Sequence, residues 1–326
     1  MYSFIKVKIT VLFAVLLLVV GCDNNKNNQK TDYSNIDVWK DALIIKHAQG
    51  ETSFEYAPKK VAVFNIATLD IIDALNIPVT AVPQSDVHLP DFLSKYSDKS
   101  YTNIGTLFEP NYEVLSSINP DLIIAGGRAT DAYPKLEKLA KTISLDIDSN
   151  NFLASLTERT RQLGWIFEKE KEASKLIEDF NQKIEQLKPK TSTAGSALMI
   201  MVNGGKMSAY GPKSRFGFVF DVLGFKPAAV FQEAGRHGNS ITSEFVLSVD
   251  PQWIFVIDRD SAIGNKEALS AQQVLNNELI QKTAAWKNNH IVYLDSTSMY
   301  IAGGIQTYSR LMDQIEEALQ KTSTNN

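Results

Sequence analysis

Residues 113–128, EVLSSINPDLIIAGGR, and residues 244–259, EFVLSVDPQWIFVIDR, are two versions of one pattern set 131 positions apart. Glu113 pairs with Glu244, Pro120 with Pro251 and Arg128 with Arg259. Each copy runs from a helical stretch through a proline, which cannot continue a helix, into four or five apolar residues. An apolar run without alternation is the pattern of a strand covered on both faces. Upstream, DALNI (73–77) matches DVLGF (221–225), each closing an apolar helical stretch that follows a strand. Downstream, ISLDID (143–148) matches IVYLDS (291–296). Three matches in the same order make the chain a duplication in which each half reads β-α-β-α-β.

The remaining elements fit around that repeat. LIIKHAQGETSFEY (43–56) alternates about a Gln-Gly turn and predicts a hairpin; KVAVFN (60–65) and SALMIMVN (196–203) open the two sheets. Residues 151–188 form the longest helical stretch, with Leu153, Leu156, Leu163 and Ile166 at helical spacing. About 300 residues outside the leader exceed one comfortable core. The fold class is therefore α/β: two Rossmann-like lobes with mostly parallel sheets, joined by one long α-helix. The lobes are assigned to 33–150 and 189–326, with 151–188 as the link.

Lys6 and Lys8 followed by ITVLFAVLLLVV (9–20) give a basic region and an apolar region too short to span a bilayer. Residues 1–21 are read as a signal peptide. Cys22, the single cysteine, follows Val19-Val20-Gly21, which resembles a lipobox, and its lipidation would anchor the chain. Residues 22–32 then form a polar tether. Without the leader the chain has 31 basic and 37 acidic residues, a balance that favours neither nucleic acid nor anionic lipid. The expected location is the outer face of the cytoplasmic membrane, facing the periplasm in a two-membrane cell.

Ligands of parallel sheets sit beyond the carboxyl ends of the strands. Arg128 and Arg259 fall at such ends, one per lobe. GPKSRFG (211–217) places Arg215 in the first turn of a helix, GRHGNSITSE (235–244) places His237 before another, and STSMYIAGG (296–304) puts Tyr300 in the loop after the last sheet strand. Singly each has an ordinary explanation: a solvated arginine, an Asp258–Arg259–Asp260 ion pair, a structural histidine, a packed tyrosine. Together on one rim they suit an anion, and the His/Tyr pair suits a hard or borderline metal. His47, His88 and His290 lie away from that rim. No G-x-S-x-G, H-E-x-x-H, P-loop or G-x-G-x-x-G is present, so the chain is read as a binder and not an enzyme.

Leader, lipobox, tether, duplicated halves and linking helix together resemble the substrate-binding lipoproteins of ABC importers whose lobes are joined by one long helix. Within them, IGTLFEPNYE (104–113), SAYGPKSRFGFVFDVLG (208–224), HGNSITSEF (237–245), FVIDR (255–259) and YIAGG (300–304) are similar to the binders of ferric siderophores of catecholate type. The resemblance implies that Arg128, Arg215 and Arg259 neutralise an anionic Fe(III)-siderophore. It implies that His237 and Tyr300 complete the iron's coordination when the siderophore is tetradentate. Glu113 and Glu244 would dock onto an ABC permease worked by a separate ATPase. The chain would act as a monomer with no intrinsic cofactor. The runner-up ligand is haem or a corrinoid, whose site would need fewer arginines.

Overall fold

The two copies of the repeat fold into matching elements at their 131-residue spacing. Helices Tyr112–Ile118 and Ser243–Val249 are capped by Asn111 and Thr242, whose side chains accept from Val114 N and Phe245 N. Both end on a left-handed residue, Asn119 (φ 45°) and Asp250 (φ 38°), short polar residues that tolerate this region. Each prolyl stop then leads into a strand. The structure, a computed structural model, describes residues 41–231 and 237–324, which fall in the compact unit Asp37–Asn326. The signal peptide, Cys22 and the tether lie outside the described residues.

The N-terminal lobe begins with the predicted hairpin, β1 (Leu43–His47) against β2 (Gly50–Phe54). Its sheet contains β3 (Val61–Val63), β4 (Ala81–Val82), β5 (Thr102–Asn103), β6 (Leu122–Ala125) and β7 (Thr142–Ser144), all parallel in the order β5-β4-β3-β6-β7. Helix α1 (Ile66–Ala74) follows β3, and α2 (Tyr112–Ile118) precedes β6.

The linking segment differs from the single stretch expected over 151–188. It is two helices, α3 (Phe152–Ile166) and α4 (Glu170–Thr191), broken where Glu168 turns left-handed (φ 56°). The reason is close packing: Gly164 of α3 sits so near α4 that a Cβ there would meet that of Ala173 at 2.7 Å. Helix α4, 22 residues long, is therefore the long link on its own.

The C-terminal lobe contains β8 (Ser196–Asn203), β9 (Lys206–Tyr210), α5 (Phe218–Asp221), β10 (Lys226–Pro227), β11 (Asn239–Ile241), α6 (Ser243–Val249), β12 (Trp253–Asp258), α7 (Arg259–Ala262), β13 (Ile291–Tyr293) and α8 (Ile305–Thr324). Its order β11-β9-β8-β12-β13 holds a parallel centre, β8-β12-β13, with β10 beside the start of β8 as β4 lies beside β3. The duplication was not read as containing β9 and β11, an antiparallel extension entered through a tight Gly204-Gly205 turn.

One contiguous apolar cluster includes Leu69 and Ile72 of α1, Phe180 and Leu187 of α4, and Tyr308 and Leu311 of α8. A polar joint reinforces it. Asp70 of α1 is 0% exposed and caps α8, accepting from Gln306 N (2.7 Å), Thr307 N (3.0 Å) and the Thr307 hydroxyl (2.7 Å). Burial raises its carboxyl to about 6, against the downward pull of these donors and of Gly304 N–H. Gly304 lies so close to α1 that a Cβ would meet Ala67 O at 2.5 Å.

Candidate functional site

Each predicted arginine is delivered by a strand end or a braced turn. Arg128 follows β6 after Gly126 and Gly127, in a short 3-10 turn, and Arg259 opens α7 directly after β12. Arg215 does not stand in the first turn of a helix. It occupies the turn before α5, which is held by Ser214 Oγ donating to Gly211 O and by Lys213 N donating to Asp221. Tyr300 lies in a π-helical turn, Ser298–Ala302, rather than a loop. Such wide turns recur at functional sites because they displace one side chain from the regular helical ladder.

All three arginines converge on Tyr300. Arg128 Nη2 donates to the Tyr300 carbonyl at 2.8 Å, and Arg215 Nη2 donates to the same oxygen at 2.6 Å. Arg259 Nε donates to the Tyr300 hydroxyl at 2.9 Å, while its Nη1 donates to Asn203 Oδ1 at 2.9 Å. The guanidinium carbons of Arg128, Arg215 and Arg259 lie 5.2, 4.8 and 5.4 Å from the Tyr300 ring centroid. Cation–π attraction to one ring, a carbonyl shared by Arg128 and Arg215 and a hydroxyl that accepts from Arg259 thus hold together like charges that would otherwise repel.

Among the described residues none of these arginines forms a salt bridge with a carboxylate. The flanking acids do other work. Asp258 caps α7, accepting from Ser261 N (2.9 Å), and also accepts from Ala271 N (2.7 Å). Asp260, 4% exposed, accepts from Gly204 N (2.5 Å) and Asn265 Nδ2 (3.1 Å). In place of a local ion pair around Arg259, Asp258 caps a helix and Asp260 braces the turn at Gly204. Burial, then the charge of Arg215, depresses Arg128 from its ordinary value. For Tyr300, burial pushes the phenol up, but the Arg259 hydrogen bond and the three positive charges outweigh it and the net shift is downward.

These groups line a cleft of about 690 Å³ that is also lined by residues at the carboxyl ends of both sheets. His237 reaches it from an exposed turn. Two asparagines were overlooked: Asn65, just beyond β3, and Asn203, ending β8. The carboxyl-end rule that singled out the arginines applies equally to these positions. Asn65 caps α1 and donates to Asp146 Oδ1 at 2.8 Å, so the N-terminal wall is polar as well as cationic. Phe108 also lines the cleft and was missed within a motif quoted as a whole.

Glu113 and Glu244 are exposed in the first turns of α2 and α6, at equivalent places in the two lobes. Backbone and Thr242 hydrogen bonds hold the Glu244 carboxyl below its ordinary value. His290 stacks on Trp253 with centroids 4.0 Å apart, and His47 pairs with Thr52; neither lines the cleft. Among the described residues no cluster of three or more His, Cys, Asp or Glu side chains could hold a bare metal ion. Nor is any described helix long and apolar enough to cross a membrane.

Two lobes of mainly parallel strands, linked through a long helix and sharing a cationic cleft at their strand ends, define a two-lobed substrate-binding protein. The chain belongs to the periplasmic binding protein family, whose pattern matches residues 61–297; it is a family of binders, not enzymes. It is 33% identical to the petrobactin-binding protein YclQ of Bacillus subtilis (strain 168), over 96% of this chain and 99% of that one. The crystal structure of YclQ superposes with a TM-score of 0.81 at 34% identity, covering 86% of this chain and 99% of the other. The ferric-anguibactin-binding protein FatB of Vibrio anguillarum (strain ATCC 68554 / 775) is 30% identical over 98% and 99% of the two chains. The periplasmic catecholate-siderophore binding protein VctP of Vibrio cholerae superposes with a TM-score of 0.79 at 30% identity, covering 85% of this chain and 100% of VctP.

Proposed function

We propose that this chain captures an anionic ferric siderophore of catecholate type in the cleft and hands it to the permease of an ABC importer. The observation that carries this reading is the convergence of Arg128, Arg215 and Arg259 on Tyr300 with no salt-bridged carboxylate among the described residues. An uncompensated cluster of this kind, in a chain of net charge -4, focuses a positive potential into one cleft. YclQ binds petrobactin, FatB ferric anguibactin and VctP a catecholate siderophore, which supports a siderophore as the ligand here. They do not favour the haem or corrinoid alternative.

Tyr300 serves two purposes in this reading. Unliganded, its carbonyl and hydroxyl accept from the arginines and keep them gathered. Its acidified phenol also lowers the cost of giving an oxygen donor to Fe(III), a hard cation. His237, on the exposed turn, offers a nitrogen donor to the same metal. Both would bind only where a siderophore leaves iron positions open. Glu113 and Glu244 are read as the carboxylates that dock onto basic residues of the permease, and Cys22 as the lipid-bearing anchor that keeps the chain at the membrane. A tryptophan-fluorescence titration of the full chain with ferric catecholates, haem and cobalamin tests the reading. Saturable quenching by a ferric catecholate at micromolar concentration or below is expected; quenching by haem or cobalamin alone would overturn it.

A further inference from the structure

We propose that Phe108 forms an aromatic subsite at the cleft, against which a ring of the bound ligand packs, so that the protein selects ferric complexes bearing aromatic donors over equally charged aliphatic ones. This rests on the ferric-siderophore reading above and adds to it a residue that distinguishes ligand types.

Phe108 is 65% exposed although it lines the cleft. Ile44, Val230, Ile263 and Leu269 are also large, apolar and exposed, but none of them lines that cavity, and scattered apolar residues on an outer surface need no explanation. Among the described residues the Phe108 ring makes no aromatic or cation–π contact, whereas Phe152, which also lines the cleft, packs edge-on against Phe218 and Tyr308. A large, mostly exposed ring at a binding cavity, with no aromatic or cationic partner among the described residues, is an available packing surface.

The backbone holds that ring out firmly. Thr106 Oγ1 accepts from both Phe108 N (3.1 Å) and Glu109 N (2.9 Å), and Thr106 N donates to Glu109 O at 3.1 Å. Gly105 and Pro110 close the turn as an antiparallel bridge. Gly105, at φ 111°, admits no side chain there, because a Cβ would meet Glu109 O at 2.3 Å. Leu107 beside it is buried and pins the turn to the lobe. A pre-set aromatic surface loses little conformational freedom on binding, which is what a packing subsite needs. The cleft thus joins two chemistries, a cationic cluster that reads charge and an aromatic surface that reads ring structure.

The test is a fluorescence titration of the full chain with the iron(III) complex of a synthetic bis-catecholamide. Phe108→Ala and Phe108→Leu should each weaken binding about tenfold, while Phe108→Tyr and Phe108→Trp stay within about threefold of wild type. Because the ring is exposed, all four variants should melt as the wild type does. If Phe108→Leu binds like wild type, apolar bulk suffices and the aromatic subsite is wrong. If Phe108→Ala binds like wild type while uptake in cells fails, the ring belongs to a permease contact and the proposal also falls. Failure of the wild-type chain to bind any ferric catecholate would instead remove the ferric-siderophore reading itself.

Discussion

Tyr300 is the residue on which the cleft turns, and its chemistry is directly measurable. Its phenol is pulled down, whereas Tyr96, Tyr133, Tyr210, Tyr293 and Tyr308 are pushed up by burial. In an alkaline titration followed by phenolate absorbance, Tyr300 should therefore ionise below the ordinary tyrosine value of about 10. Tyr300→Phe should delete that early step and Arg259→Gln should move it upward. The folded chain releases this proton before the unfolded one, so the group adds stability as pH climbs from its folded pKa toward about 10. His237 gives a second residue-scale outcome: His237→Ala should weaken tetradentate ferric complexes about tenfold and leave hexadentate ones unchanged, since only the former leave the metal open. Equal losses in isothermal titrations of both would remove His237 from the iron. The identities of these residues were legible in the sequence, but their mutual arrangement was not. No spacing rule tells that Arg128 and Arg215 share one carbonyl, or that Asp258 and Asp260 turn away to cap backbone instead of pairing with Arg259.

At the scale of elements, the 131-residue repeat carried the reading well, because cap, left-handed stop, proline and strand recur as one local unit in α2–β6 and α6–β12. What escaped were features decided by tertiary contact. The break between α3 and α4 has no proline to announce it and arises where Gly164 meets Ala173. Among the described residues the β9 and β11 strands have no counterpart in the N-terminal sheet, so the internal repeat does not announce them. The π-helical turn around Tyr300 is held from outside, by Arg128 and Arg215 and by the joint where Asp70 caps α8. That joint makes its own prediction. Asp70→Asn leaves at least one buried N–H of α8 without an acceptor, which should cost about 2 kcal/mol in a denaturant unfolding experiment. An unchanged unfolding midpoint would mean that α1 and α8 are held by apolar packing alone.

For the whole molecule, the account separates capture from delivery. Glu113 and Glu244 project from equivalent helices of the two lobes, far in role from the arginine cluster, and each is exposed. Reversing both to arginine should abolish iron uptake in cells while leaving ligand affinity in vitro unchanged; lost affinity would instead indicate damage to the fold. The central claim, however, concerns charge: the cleft selects its ligand because three arginines stand there and, among the described residues, none of them is salt-bridged to a carboxylate. The most direct measurement is calorimetric titration of the full chain with an anionic ferric catecholate and with a neutral ferric hydroxamate, in wild type and in Arg259→Gln. The account predicts tighter binding of the anion, an affinity that falls with added salt, and a further loss of about tenfold or more for the anion alone in the variant. Equal affinity for both complexes, indifferent to salt and to Arg259→Gln, would contradict it.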